Sequence, residues 1–257
     1  MEFKSEDIES ALLEQADEEQ RKVLCRFFKT GKGEYGEGDK FIGLKVPITR
    51  QVVKLAKRQV ELDEIEKLLL SQWHEVRLAG LLLLVEEMKA ATPKKHDTPL
   101  SGAERRKELT DFFLAHARQA NNWDLVDLSC EYILGTALLY PGPDGRMPDR
   151  SILDRLAVSD NLWEQRISIV STLTLIRANQ FDDTLRIAGK LISHRHDLIH
   201  KAVGWMLREV GKRDKPLLED FLEKHYNRMS RTTLRYAIER FPEHERRQWL
   251  KRPASKA

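Results

Sequence analysis

The sequence predicts an all-α protein, and more specifically a curved α-solenoid built from HEAT-like two-helix repeats. The chain has only 13 glycines and 9 prolines among 257 residues, below the roughly 12% of average usage. They are clustered, and the long stretches between them carry apolar residues at helical spacing. No segment shows the two-residue alternation, bounded by hairpin turns, that is typical of strands. Related helical segments also recur along the chain.

The first helices have recognisable starts. Ser5 can cap a helix whose first turn holds Glu6 and Asp7, since acidic residues favour a helix N-terminus. Pro47 suits the first turn of another helix because its missing N–H is not needed there. Periodicity predicts the remaining helices at 62–71, 74–90, 104–119, 123–139, 150–158, 162–178, 181–193, 197–211, 214–226, 230–241 and 243–250.

Three segments rich in glycine or proline are predicted to be loops. The segment 31–47 holds five glycines, and the segments 92–102 and 141–148 read as insertions between helices. The glycine-rich segment lacks the GxxxxGK[ST] pattern and follows no strand, which argues against a nucleotide-binding loop. We interpret it as a connector.

The repeats place one position of each helix in a common column. Aligning the helices that contain WHEVRLAG, NWDLVDLS, LWEQRISI, LIHKAVGW and TTLRYAIE gives the column Arg77, Asp127, Arg166, Lys201 and Arg235. Its steps are 50, 39, 35 and 34 residues, and the longer ones contain insertions. Such spacing is typical of solenoids, which usually bind partners on their concave face. We therefore predict one continuous domain over 1–257, with its core at about 20–245.

Composition excludes several classes of protein. With 33% charged and 41% hydrophobic residues, the chain is too apolar for disorder and too polar for a membrane protein. Cys25 and Cys130 alone cannot form a disulfide framework or a four-ligand zinc site. The acidic first thirty residues lack the apolar core of a secretory signal. We expect a soluble, cytoplasmic monomer with no membrane association.

The charge is unevenly distributed. The net charge of +3 divides into −3 for residues 1–128 and +6 for residues 129–257, which hints at a polyanionic partner. Four of the five column residues are basic. They form either a track for a nucleic-acid backbone or a ladder of salt bridges between repeats, and spacing alone leaves both interpretations open.

Asp127 is the one acid in the column. A fixed negative charge opposes simple phosphate binding, but it is useful where positive charge develops during a reaction. Trp123 lies one turn before Asp127, and Trp205 lies one turn after Lys201. Indole rings beside a carboxylate can face a cation, although tryptophans that begin repeat helices can equally be packing residues.

Several motifs, in order, resemble the DNA alkylation repair family, the AlkD-like DNA glycosylases. They are WDLVD from Trp123, LWEQRISIVST from Leu162 and KAVGWMLREVGKRD from Lys201, flanked by GEYGEGDKFIGLKVPITR and LRYAIERFP. The resemblance covers about residues 20–245. It implies a HEAT-like solenoid that wraps duplex DNA and removes alkylated bases.

The resemblance also implies roles for individual residues. It places the essential aspartate at Asp127, the lesion-side tryptophans at Trp123 and Trp205, and a backbone-binding arginine at Arg166, with Arg208 as a further phosphate contact. The remaining cations of the column, Lys201, Arg77 and Arg235, are expected to bind DNA as well.

The implied activity is that of a monofunctional DNA-3-methyladenine and 7-methylguanine glycosylase without metal or organic cofactor. The base would not be held in a tight flipping pocket. We expect a bacterial-type protein associated with the nucleoid through DNA. Two alternatives stay open, namely a non-catalytic HEAT-repeat scaffold that binds DNA or an acidic protein, and a metal hydrolase that uses His194, His196 and His200. The second lacks an HExxH motif.

Overall fold

The computed structural model describes residues 3–252, and the secondary-structure elements among them are helices. Among them there is no β-strand, and a single isolated parallel bridge joins Lys40 to Trp73. The all-α prediction is confirmed. No helix in the described part is long and apolar enough to cross a membrane.

The chain divides into two compact units, Met1–Arg146 and Met147–Ala257. In the first unit, helix α5 is buried along nearly its whole length and packs against α1, α3, α4, α6 and α7. The α-helices of this unit are α1 (Ser5–Leu13), α2 (Glu18–Phe27), α3 (Val46–Ala56), α4 (Leu62–Leu69), α5 (His74–Ala91), α6 (Ala103–Ala115) and α7 (Trp123–Asp127).

The α-helices of the second unit are α8 (Ser151–Ala157), α9 (Leu162–Val170), α10 (Leu173–Arg177), α11 (Asp182–Leu191), α12 (Asp197–Gly211), α13 (Lys215–His225), α14 (Arg231–Ala237) and α15 (Glu243–Lys251). Helix α12 lies at the centre of this unit and packs against α9, α11, α13 and α14. Contacts between consecutive helices, such as α11 with α12, and with the next helix but one, such as α12 with α14, are typical of an α-solenoid. That both units form one continuous domain stays a prediction.

Two predicted helices are each interrupted. In the segment 123–139 the α-helix ends at Asp127, and a π-helix follows at Glu131–Gly135. The Ser129 hydroxyl donates to the Leu125 carbonyl at 2.6 Å, and the Thr172 hydroxyl donates to the Ile169 carbonyl at 2.7 Å where α9 gives way to α10. Hydroxyls that bond back to a preceding carbonyl compete with helical hydrogen bonds. Helix α2 is an element that the periodicity did not predict.

Candidate active site

Helix α7 carries Trp123 and Asp127 at its two ends. Asn122 begins the helix, because its side-chain oxygen accepts from the Trp123 amide at 2.9 Å. Leu125 and Val126 are fully buried and anchor the helix in the core of the first unit. Trp123 and Asp127 are half-buried. The helix therefore leaves an indole and a carboxylate accessible, one turn apart.

A stack of rings supports Trp123. Its indole lies 5.2 Å from the ring of Phe28 at an interplanar angle of 23°. Phe28 in turn stacks on Phe41 at 5.0 Å, and Phe41 stacks on His74 at 4.3 Å. Because Phe28, Phe41 and His74 are buried, the stack fixes the plane of the indole from below.

Phe27 adds an exposed ring beside Trp123. It is 60% exposed and meets the indole edge-on, with centroids 5.8 Å apart. It is the last residue of α2, a helix in which no residue is buried. An exposed aromatic next to the candidate catalytic helix enlarges the apolar surface available there to a ligand.

Beneath the stack lies a buried group of charges. The Nδ1 atom of His74 faces the Asp39 carboxylate at 2.8 Å, and its Nε2 atom faces the Asp124 carboxylate at 2.9 Å. Burial lowers the pKa of His74, but the charges and hydrogen bonds of Asp124 and Asp39 outweigh burial and raise its pKa to about 9. The imidazole is therefore a cation at neutral pH.

Arg77 belongs to this buried group. Its guanidinium is 4% exposed, pairs with Asp39, and donates to the Ser71 carbonyl at 2.9 Å. Burial favours a raised pKa for Asp39, but His74 and Arg77 outweigh burial and hold the pKa of Asp39 below its usual value. In this position the Arg77 guanidinium faces Asp39 and the Ser71 carbonyl, and its role as a DNA contact stays a prediction.

Arg77 differs from the other column residues in its position within its helix. The other members are the fifth residues of α7, α9, α12 and α14, whereas Arg77 is the fourth residue of α5. One residue turns a side chain by about 100° around the helix axis. Arg77 pairs with Asp39 in the interior, and the salt-bridge interpretation fits this residue.

The remaining predicted DNA contacts lie in the second unit and differ in exposure. Arg166 is 5% exposed and donates to the Leu198 carbonyl at 2.5 Å, so it braces α9 against the start of α12. Lys201 pairs with Asp197 at 2.7 Å. Arg208, which is largely buried, pairs with Glu239. Arg235 is exposed and has no ion pair within residues 3–252.

Trp205 lies on α12, is half-buried, and follows Gly204 at a close helix crossing. A Cβ atom at Gly204 would lie 2.5 Å from the Cβ of Tyr236 on α14 and 2.7 Å from the Thr233 carbonyl oxygen. The missing side chain therefore allows α12 to approach α14. This packing fixes the backbone that carries Trp205.

The histidine cluster has a local structural role. The His196 amide donates to Nδ1 of His194 at 3.0 Å, and the Leu198 amide donates to Nδ1 of His196 at 3.2 Å, at the start of α12. The ring of His200 bonds to the carbonyl of His194. In the described part of the chain, no three His, Cys, Asp or Glu side chains are arranged to hold a metal ion. Cys130 is fully buried.

Sequence reasoning missed four residues of this region, Phe27, Phe28, Asp39 and His74. The adjacent phenylalanines at the end of α2 were a detectable signal, because these two consecutive aromatic residues end a helix that is otherwise largely polar. His74 lies 35 residues from Asp39 and 50 residues from Asp124 along the chain. No local pattern joins such distant partners.

The chain resembles known proteins both in its sequence family and in its fold. The family model for DNA alkylation repair enzyme matches residues 8–241. A solved structure described as a predicted DNA alkylation repair enzyme from Enterococcus faecalis is similar over 89% of this chain and 98% of its own, with a TM-score of 0.64 at 17% sequence identity. That likeness supports a shared all-α fold. No curated protein matches the chain.

Proposed function

Since the chain belongs to the family of DNA alkylation repair enzymes, we propose that it is a DNA glycosylase for cationic alkylated purines in duplex DNA. The bond it hydrolyses is the N-glycosidic bond of N3-alkyladenine or N7-alkylguanine. The observation that carries the proposal is the half-buried Asp127 at the accessible end of α7, one turn from the supported ring of Trp123.

The reaction needs a fixed negative charge near the sugar more than it needs a proton donor for the leaving base. A cationic purine leaves as a neutral base, so its departure requires no proton from the protein. The sugar left behind resembles an oxocarbenium ion, which carboxylates stabilise in glycosidases generally. The Asp127 carboxylate would stabilise this charge and orient the attacking water. Neutral lesions, whose leaving group needs protonation, should be poor substrates.

The aromatic residues contribute a preorganised surface. Trp123 is fixed by its stack on Phe28, so its π-face need not reorganise as positive charge develops on the deoxyribose. The exposed ring of Phe27 extends the same surface. Trp205 is assigned the role of the second tryptophan by the family resemblance. The base itself need not enter a tight pocket.

The cations of the second unit are proposed to hold the DNA backbone. Arg235 is exposed and can meet a phosphate directly. Lys201 and Arg208 already have carboxylate partners, which a phosphate would replace or join. Arg166, although buried, lies in the middle of α9 and is assigned to backbone binding by the family resemblance. The partner is double-stranded DNA, and we propose that the protein acts on it as a monomer.

A non-catalytic scaffold is the second candidate, and specific contacts favour it in part. Arg77 is a buried structural cation, and Arg166 braces two helices, as expected for a ladder between repeats. On that interpretation the protein would bind DNA or an acidic protein without releasing any base. The two candidates differ in a single product, the free alkylated purine.

The test is chromatography of bases released from methylated duplex DNA. The purified protein should release 7-methylguanine and 3-methyladenine well above the spontaneous rate, equally with and without a chelator. Matched duplexes that carry neutral hypoxanthine should lose no base. DNA binding without any release in the methylated sample would contradict the glycosylase and leave the scaffold.

A further inference from the structure

We propose that His74 is a positioning residue for the candidate active site, because its ring ties α7 to the loop that supports Trp123. The inference deepens the proposed function and rests on it, since the group positioned is the pair Trp123 and Asp127. His74 itself is buried and would touch neither the DNA nor the reacting atoms.

The geometry requires a doubly protonated ring. Both nitrogens of His74 face carboxylate oxygens, at 2.8 Å for Asp39 and 2.9 Å for Asp124. Ionised carboxylates only accept hydrogen bonds, so both nitrogens must donate, and only the imidazolium has two N–H donors. Asp39 lies two residues before Phe41 in the loop, and Asp124 directly follows Trp123 in α7. One ring therefore joins the two elements.

Asp124 depends on this contact. Its side chain is 8% exposed. Its Oδ2 atom bonds to His74, and its Oδ1 atom has no hydrogen-bond partner among the described residues. Removal of one partner from a buried pair leaves a charge without compensation, which is strongly unfavourable. The simplest relief is a movement of α7 toward water. That movement would carry Trp123 and Asp127 with it.

No other charged group near His74 can replace it as the partner of Asp124. Arg77 faces Asp39 and does not reach Asp124. Glu75, next to His74 on α5, accepts from the amides of Ile42, Gly43 and Leu44 at 2.9–3.0 Å. The rings of Phe28 and Phe41 pack against the imidazole. Loss of the His74 proton would therefore leave two buried carboxylates with one cation.

The experiment compares His74→Gln with the matched variant His116→Gln. His116 also joins a carboxylate, Glu66 at 2.9 Å, and a carbonyl, that of Phe112 at 2.9 Å. It lies in the same unit, and its two ring contacts are to α4 and α6. Three readouts apply to each variant: single-turnover release of 7-methylguanine, affinity for undamaged duplex by fluorescence anisotropy, and hydrogen exchange of a peptide spanning 120–130.

We expect His74→Gln to slow base release at least tenfold while DNA affinity stays within twofold, and to speed exchange over α7. His116→Gln should match the parent in all three readouts. The parent rate should fall as the pH rises through about 9, where His74 loses its proton, and this decline should be missing in His74→Gln. Exchange and rates equal to those of His116→Gln would overturn the proposal.

A second variant covers the case in which His74→Gln does not fold. Asp124→Asn keeps an acceptor for His74 but removes one of its two anions, so the decline in rate should move to lower pH. A decline at the same pH as in the parent would overturn the proposal. If the parent releases no base at all, the proposed function fails, and exchange over α7 still decides whether His74 holds that helix.

Discussion

Two carboxylates three residues apart on α7 differ in their surroundings. Asp124 is buried against the His74 imidazolium, whereas Asp127 is half-buried at the helix end. In such a pair, the surroundings of each carboxylate decide its role, as they do for catalytic carboxylates in general. We assign Asp124 to positioning and Asp127 to the reaction.

The His74 pair should make stability depend on pH. The pKa of His74 is raised from 6.5 to about 9, so the stabilisation is complete below about pH 6.5 and is lost as the pH rises through about 9. The shift corresponds to at most about 3 kcal/mol. Urea unfolding of the parent between pH 6 and pH 9.5 should show this loss. His74→Gln should be less stable at pH 6 and vary less over the same range, and parallel curves would contradict the account.

In helix α12, close packing outweighs helix propensity at Gly204. Replacement of an interior helical glycine by alanine normally stabilises a helix by up to about 1 kcal/mol. Here the new Cβ would lie 2.5 Å from Tyr236. We expect Gly204→Ala to destabilise the protein by about 1–3 kcal/mol, measured as a lower midpoint of thermal unfolding. Gly189→Ala is the control, because its nearest neighbour would lie at 3.7 Å. An increase in stability for Gly204→Ala would show that the crossing of α12 and α14 relaxes easily.

The elements also show where sequence reasoning succeeds. Periodicity predicts most helices, because a helix that buries one face must repeat its apolar residues every three or four positions. Periodicity does not predict the interruption after Asp127, where the Ser129 hydroxyl donates to the Leu125 carbonyl. Asp127 and Arg166 from the column of repeats are each the fifth residue of their helix. Arg77 is the fourth residue of α5, a difference that periodicity does not resolve because it does not fix the first residue of a helix.

In the candidate site, too, the sequence indicates some residues and not others. Trp123 and Asp127 follow from a local motif and the family resemblance. The support beneath them, Phe28, Phe41 and His74, comes from three separate elements, and its pairings exist only once the chain has folded. Sequence therefore indicates the proposed reacting groups more readily than the groups that hold them.

Across the whole chain, the net charge of +3 says little because many cations are paired. Arg235 is the exposed, unpaired cation among the predicted DNA contacts in the described residues. We expect Arg235→Gln to weaken binding to any duplex and to reduce the slope of log affinity against log salt by about one. Arg105→Gln is the control, since Arg105 pairs with Glu87 and Glu108. An unchanged slope for Arg235→Gln would remove this residue from the DNA interface.

The central claim concerns the charge of Asp127, and the most direct measurement is the single-turnover release of 7-methylguanine by Asp127→Asn. The substitution keeps the shape of the side chain and removes its anion, so the rate should fall at least a hundredfold while affinity for the duplex stays equal or increases. Asp111→Asn, at an exposed acid paired with Lys107, should match the parent. Base release by Asp127→Asn at the parent rate would contradict the account.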